Sequence, residues 1–255
     1  MESLPDLHKA DPAISTYLDE VTRIHCDVLH ADLIALYLHG SMVQDDFNPD
    51  SSDLDILGVV AGATNFEQRE ELLVRLSHAA LPVPAFGLEL IICTSEAVRA
   101  PIEAMPYDFA LSTGGEWGVQ VETDGLTSDI LVHMQLCRQA GLALMGPPAP
   151  DILAKIPATD LRAGLLGELI WHRGELLKDP QCKSITDAVL NAARSLYAAE
   201  TGQIVSKTQG GKWWLARVPK DEVVALALDY RSGRSATLPS VRSARNFVEL
   251  AIATL

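Results

Sequence analysis

Cysteine is scarce in this 255-residue chain, and basic residues are outnumbered by acidic ones. The four cysteines, Cys26, Cys93, Cys137 and Cys182, are widely scattered, and none falls in a Cys-x-x-Cys spacing. That excludes a zinc site of that type and a disulfide framework. A reducing cytoplasm is the expected compartment. The seven histidines show no His-x-x-x-His spacing, so His39 is expected to be a packing or hydrogen-bonding residue rather than a ligand. No apolar run approaches the ~18 to 20 residues of a membrane span, so no membrane partner is expected. The segment Met1-Glu2-Ser3-Leu4-Pro5-Asp6 has neither the basic nor the apolar region of a signal peptide. Internal repeats and low-complexity tracts are absent.

The shortage of basic residues is uneven. Residues 1–150 hold 23 Asp and Glu against 6 Lys and Arg, a net of −17, whereas residues 151–255 hold 11 against 14, a net of +3. An acidic half argues against nucleic acid as a partner, because a phosphate backbone needs a basic track. It suits a metal ion and a cationic small molecule, which it would steer electrostatically. The mildly basic half can supply cations to a triphosphate. A hydrophobic content of 48% is ample for a packed core.

Hydrophobic periodicity divides the chain in two. Residues 13–30 carry one helical apolar stripe, Ile14, Tyr17, Leu18, Val21, Ile24, Val28 and Leu29. Leu33 to Leu38 and Leu54 to Val60 have the length and composition of buried strands, Phe66 to Ala79 that of a helix, and Leu88 to Cys93 that of another strand. Thr94 to Asp124, broken by prolines and glycines, is expected to be irregular, and Ser128 to Ala143 helical. Gly146-Pro147-Pro148-Ala149-Pro150 is the strongest punctuation. Beyond it the pattern predicts helices at about 159–178, 183–201, 221–231 and 240–254, the last capped by Ser240. The expected fold class is α+β: a domain over 1–150 with a mixed β-sheet and flanking helices, then an α-helical bundle over 151–255. A monomer is compatible with this composition.

The densest signal lies in Leu36-Tyr37-Leu38-His39-Gly40-Ser41 and, eleven residues after Ser41, Ser52-Asp53-Leu54-Asp55-Ile56-Leu57. Side chains alternate along a strand, so Asp53 and Asp55 share a face. Two adjacent carboxylates repel each other unless a cation lies between them, and Mg²⁺ is commonly held by one or two carboxylates together with substrate phosphates. Gly40 lets a phosphate approach the backbone, Ser41 can donate a hydrogen bond to it, and Ser52 is a further candidate contact. The constellation predicts a Mg²⁺–nucleoside triphosphate site for phosphoryl or nucleotidyl transfer. Glu89 stands alone among apolar neighbours in Leu88-Glu89-Leu90-Ile91-Ile92. A carboxylate placed there needs a metal, a cation or a proton, and burial would suit it to take a proton from a substrate hydroxyl.

The order strand, Gly-Ser, loop, Asp-x-Asp, strand resembles the nucleotidyltransferase superfamily related to DNA polymerase beta. Within it the chain is similar to the aminoglycoside adenylyltransferases that modify streptomycin and spectinomycin. Gly87-Leu88-Glu89-Leu90-Ile91-Ile92, Gly115-Glu116-Trp117 and Thr201-Gly202-Gln203-Ile204-Val205-Ser206-Lys207 carry that closer likeness. So do Trp213-Trp214 and Leu215-Ala216-Arg217-Val218-Pro219. The resemblance covers roughly residues 30 to 235.

The resemblance implies that Asp53 and Asp55 hold the metal and that Glu89 is the catalytic base. It also implies that Arg194 and Lys207 reach the ATP phosphates. Tyr230 is a candidate for stacking on adenine, and Trp117 for packing on the acceptor. Trp171, Trp213 and Trp214 are expected to be helix-packing residues. Where the streptomycin-modifying enzymes carry acids, this chain has Pro180-Gln181-Cys182-Lys183-Ser184, which leaves Asp187 as the acid at the acceptor. The implied activity is Mg²⁺-dependent transfer of AMP from ATP to a hydroxyl of a cationic aminoglycoside or aminocyclitol, releasing pyrophosphate, with spectinomycin favoured over streptomycin. The alternatives are the same chemistry on a protein or a housekeeping metabolite, and a non-catalytic nucleotide-binding module.

Overall fold

A computed structural model describes residues 11–116, 118–178 and 185–255. Trp117 and the stretch Pro180 to Ser184 lie outside the described residues. The chain forms two compact units, the first ending at Ile156 and the second comprising Pro157–Leu255. Each unit has its own apolar core. No helix among the described residues is long and apolar enough to cross a membrane.

The first unit opens with α1 (Pro12–Leu29), started by Asp11, whose side chain accepts the Ala13 N–H at 2.9 Å, and by Pro12 in the first turn. Its apolar stripe is buried from Ile14 to Leu29. The strands are β1 (Leu33–His39), β2 (Asp53–Val60), β3 (Gly87–Thr94), β4 (Met105–Gly114), β5 (Gly118–Thr127) and β6 (Leu142–Met145). They form one mixed sheet in the order β5-β4-β3-β2-β1-β6. Only β2 and β3 are parallel; the other neighbours are antiparallel. The parallel pair needs a crossover, supplied by α2 (Phe66–Leu76), which begins with a reciprocal capping box between Asn65 and Gln68. Short α3 (Ser95–Arg99), α4 (Ile130–Ala140) and short α5 (Ala149–Ile152) complete the unit.

Leu54, Ile56, Leu88 and Leu90 share one core with α1 and with Leu72 and Leu76 of α2. By strand alternation, Asp53, Asp55 and Glu89 point to the other face of the sheet. An ion network, buried at Asp108 and exposed at Asp124, ties α2 to β4 and β5. Asp108, whose side chain is 2% exposed, accepts the Thr64 N–H at 3.1 Å and is paired with Arg69 at 2.7 Å; Arg69 also holds Asp124 at 2.8 Å.

Two expectations for this unit are corrected. Thr94 to Asp124 is not irregular: most of it is a β-hairpin, with β4 and β5 paired from Met105↔Thr127 to Gly114↔Gly118. Ser128 to Ala143 is not one helix, because the chain leaves α4 at Gly141 and adds the edge strand β6 against β1.

The second unit contains α6 (Ala158–Lys178), α7 (Ile185–Thr201), α8 (Lys207–Arg217), α9 (Glu222–Arg231) and α10 (Val241–Thr254). Helix α7 is central, with Ala188, Val189, Leu190, Ala192 and Ala193 fully buried. Ser240 caps α10 as expected, accepting the Ser243 N–H at 3.1 Å. Helix α8 was not predicted by the periodicity. It starts with a capping box between Ser206 and Gln209 and carries Gly210 and Gly211 in its middle, where each glycine costs about 1 kcal/mol relative to alanine. Tertiary contact explains their presence. A Cβ on Gly210 would sit 2.7 Å from the Arg194 Cα, and one on Gly211 2.9 Å from Leu190 Cδ2. Trp213 and Trp214 pack as expected, Trp213 edge-on to Tyr197 and Trp214 edge-on to Phe247. Trp171 does not: it is 59% exposed, on the outside of α6.

Candidate active site

Strand β1 ends at His39, and the chain turns at once through Gly40–Val43, a single 3₁₀ turn. Gly40 adopts φ +70°, the left-handed region that disfavours a side chain. A second constraint is stronger. A Cβ on Gly40 would lie 1.9 Å from Oδ2 of Asp55. The glycine therefore makes room for the Asp55 carboxylate, a role not evident from the sequence. The turn is tied internally, with the Ser41 carbonyl accepting the N–H groups of Gln44 and Asp46, each at 3.2 Å. The loop then returns through Ser52, which is buried. Its Oγ accepts the Asn48 N–H at 3.1 Å, and its carbonyl accepts the Phe86 N–H at 3.2 Å, which links the starts of β2 and β3.

Asp53 and Asp55 follow on β2, both half-buried. In the parallel pairing of β2 with β3, Asp55 is in register with Glu89, and Asp53 with Gly87. Neighbouring strands lie about 4.8 Å apart, so Asp55 and Glu89 stand side by side on one face, with Asp53 one step along the strand. On the other flank, Asp55 is in register with His39 of β1. His39 is buried, and its ring meets His133 of α4 edge-on at 5.0 Å. Burial, and next to it the Asp55 charge, push the Cys137 thiol of α4 well above its ordinary range.

This donor set consists of hard carboxylate oxygens, the chemistry preferred by Mg²⁺. Among the described residues no three His, Cys, Asp or Glu side chains form a complete metal cage. The two carboxylates of Asp53 and Asp55 fit an ion whose remaining ligands are water and phosphate oxygens.

The second unit collects charge along one stripe of α7, where Asp187, Asn191 and Arg194 recur at helical spacing. Arg194 is buried, and its Nη2 donates to both Glu168 carboxylate oxygens, at 3.3 and 3.4 Å. Its Nε has no partner among the described residues. Asn191 is hydrogen-bonded to His172 of α6, whose imidazole burial pushes down to about 4, so it is neutral at pH 7. Lys207, the first residue of α8, donates from Nζ to Asp187 Oδ1 at 2.8 Å, and Arg231 Nη1 lies 3.6 Å from the same oxygen. Burial raises the Asp187 carboxyl, but the Lys207 charge and hydrogen bond, with Arg231 and His172, outweigh it and hold it below the usual carboxylate range. Tyr230, next to Arg231 on α9, is 38% exposed.

The structure thus gathers Gly40, Ser41, Asp53, Asp55 and Glu89 in the first unit and Asp187, Arg194, Lys207 and Arg231 in the second. Arg231 and Glu168 were missed by sequence reasoning. Neither stands in a recognisable motif, and only the folded helices bring them to their partners.

A Gly-Ser turn leading into paired carboxylates on a mixed sheet, followed by a helical unit, is the architecture of a nucleotidyltransferase. Residues 151–253 match the family described as aminoglycoside adenylyltransferase, C-terminal domain. The chain is 25% identical over 219 residues to a spectinomycin 9-adenylyltransferase of Staphylococcus aureus, covering 81% of this chain and 80% of that one. It is 24% identical over 217 residues to an aminoglycoside (3'') (9) adenylyltransferase of Klebsiella pneumoniae, with the same coverage of 81% and 80%. Its fold matches the spectinomycin adenyltransferase AAD(9) of Enterococcus faecialis, solved with ATP and spectinomycin. The TM-score is 0.75 and the identity 21%, over 94% of this chain and 99% of that one. Over most of its length the chain is thus similar to aminoglycoside adenylyltransferases, and residues 151–253 match that family's C-terminal domain.

Proposed function

We propose that the protein transfers AMP from ATP to a hydroxyl of an aminocyclitol or aminoglycoside antibiotic and releases pyrophosphate. The observation that carries this reading is the in-register placement of Asp55 and Glu89 on β2 and β3, with Asp53 two residues away and Gly40 opened for the Asp55 carboxylate. Asp53 and Asp55 would hold Mg²⁺, which when bound offsets negative charge on the phosphates. Gly40, Ser41 and Ser52 form the turn that receives the outer phosphates. Glu89 accepts the proton of the acceptor hydroxyl; the oxygen then bonds to the α-phosphorus as the bond to the pyrophosphate oxygen breaks. Arg194 and Lys207 supply positive charge to the phosphates, and Tyr230 a ring for the adenine.

Spectinomycin is the favoured acceptor. The relatives from Staphylococcus aureus and Enterococcus faecialis are named for that drug. The stretch Pro180 to Ser184 contains no acid to meet a guanidino group, and Asp187 is already engaged by two cations. Trp117 is assigned to the acceptor on sequence grounds. The net −17 of residues 1–150 supports a cationic small acceptor over a nucleic acid. The test is pyrophosphate release from ATP and Mg²⁺ with spectinomycin, streptomycin and other aminoglycosides. Release with spectinomycin at higher kcat/KM than with streptomycin is the expected result. Release with streptomycin alone would reverse the specificity, and release with neither would remove the antibiotic as acceptor.

A further inference from the structure

On α7, Asp187 is paired with Lys207 and Arg231, and Arg194 with Glu168. Lys207 and Arg231 converge on a single oxygen, Asp187 Oδ1, at 2.8 and 3.6 Å. The site is neither sealed nor open: the Asp187 and Lys207 side chains are 35% and 28% exposed. Cations that share one carboxylate oxygen within reach of solvent are suited to a polyanion carrying several oxygens. Asp187 then occupies the place such an anion would take.

We infer that Asp187 is a built-in competitor of the nucleotide phosphates: it holds Lys207 and Arg231 when no nucleotide is bound, yields them to the triphosphate, and reclaims them as pyrophosphate leaves. The inference rests on the assignment of Lys207 to the phosphates and replaces the acceptor contact expected of Asp187. An aspartate in this role weakens nucleotide binding and speeds product release. It lowers affinity to raise turnover, because ATP and pyrophosphate held too tightly would stall the enzyme. The proximity of Lys207 to Asp187 is fixed by the close crossing of α7 and α8 at Gly210, so the carboxylate does not have to travel to recapture the ammonium.

The experiment is calorimetric titration of the full-length protein and of Asp187→Asn with Mg²⁺–ATP and, separately, with Mg²⁺–pyrophosphate. Steady-state kinetics and thermal unfolding of both proteins accompany it. Loss of a charge-assisted pair predicts binding of both ligands about three- to tenfold tighter in Asp187→Asn. Lower KM for ATP, stronger pyrophosphate inhibition and a reduced kcat are expected with it. Asp187→Ser serves the same test with a smaller neutral side chain if the asparagine variant unfolds. An acceptor-binding Asp187 would instead raise the acceptor KM and leave ATP affinity unchanged. A purely structural Asp187 would lower thermal stability and weaken ATP binding. Either result overturns the inference while leaving the transferase reading intact. Absence of ATP binding to the wild-type protein would overturn both.

Discussion

Asp55 and Glu89 are partners in register on the parallel strands β2 and β3, although 33 intervening residues, including all of α2, separate them in the sequence. Their neighbourhood is a property of the crossover, and it sets on one surface the two carboxylates to which the proposed reaction gives different tasks. Asp55 shares its face with Asp53 and lies against the Gly40 turn, whereas Glu89 lies on the next strand. Asp53→Asn and Asp55→Asn should each abolish turnover at saturating Mg²⁺ with little change in melting temperature. Near wild-type activity in either variant would refute the metal assignment.

Glu89→Gln retains size and hydrogen bonding and removes basicity. Turnover should fall about 10²-fold or more, as for loss of a general base, while calorimetry shows ATP affinity within error of wild type. Collapse of ATP affinity with high residual turnover would make Glu89 a binding residue.

Gly40→Ala introduces two faults at once: a side chain at φ +70° and a Cβ in the space of the Asp55 carboxylate. The first costs about 1–2 kcal/mol, and the second displaces the carboxylate assigned to the metal. Both stability and turnover should fall. An active Gly40→Ala protein would show that Asp55 does not need its observed position.

Asp108→Ala tests the ion network that ties α2 to β4. It leaves the Thr64 N–H without its acceptor and removes one of the two carboxylates on Arg69, which keeps Asp124, a loss of about 1–3 kcal/mol for unmet buried hydrogen-bonding groups. Urea unfolding should register it. A change below about 1 kcal/mol would mean that water replaces the carboxylate.

His25, buried in α1, has its imidazole pushed down to about 4 by burial, against the weaker raising effect of its hydrogen bond to the Val21 carbonyl. An unfolded histidine titrates near pH 6.5. Between these values the unfolded chain binds more protons, so stability falls as pH drops from about 6.5 to about 4, by roughly 3 kcal/mol at most. His25→Leu should flatten that part of the stability profile. An unchanged slope would place the acid sensitivity elsewhere.

Local pattern was sufficient wherever the chain obeys one period. The stripe of α1, the strands around Asp53 and Glu89, and the break at Gly146 to Pro150 are all readable from composition and spacing. The β5 strand was not, because it is an edge strand whose residues from Gly118 to Asp124 are exposed on both faces, so no apolar alternation marks it. Helix α8 was hidden by two central glycines that only the neighbouring helix requires. At the site, the Gly40, Asp53, Asp55 and Glu89 cluster follows from strand alternation. The engagement of Asp187 by Lys207 and Arg231 does not, since it joins three helices.

The crossing at Gly210 has a mechanical consequence. Side chains at most helix contacts can change rotamer to absorb a small intrusion, but here the obstacle is the main chain of α7 itself. An added methyl at 210 could be accommodated only by moving α8 as a rigid rod, and the Lys207 ammonium would move with its end. The placement of the Lys207 ammonium is therefore calibrated by the bulk of residue 210, and the tuning knob for its proposed phosphate contact is a distance between two backbones.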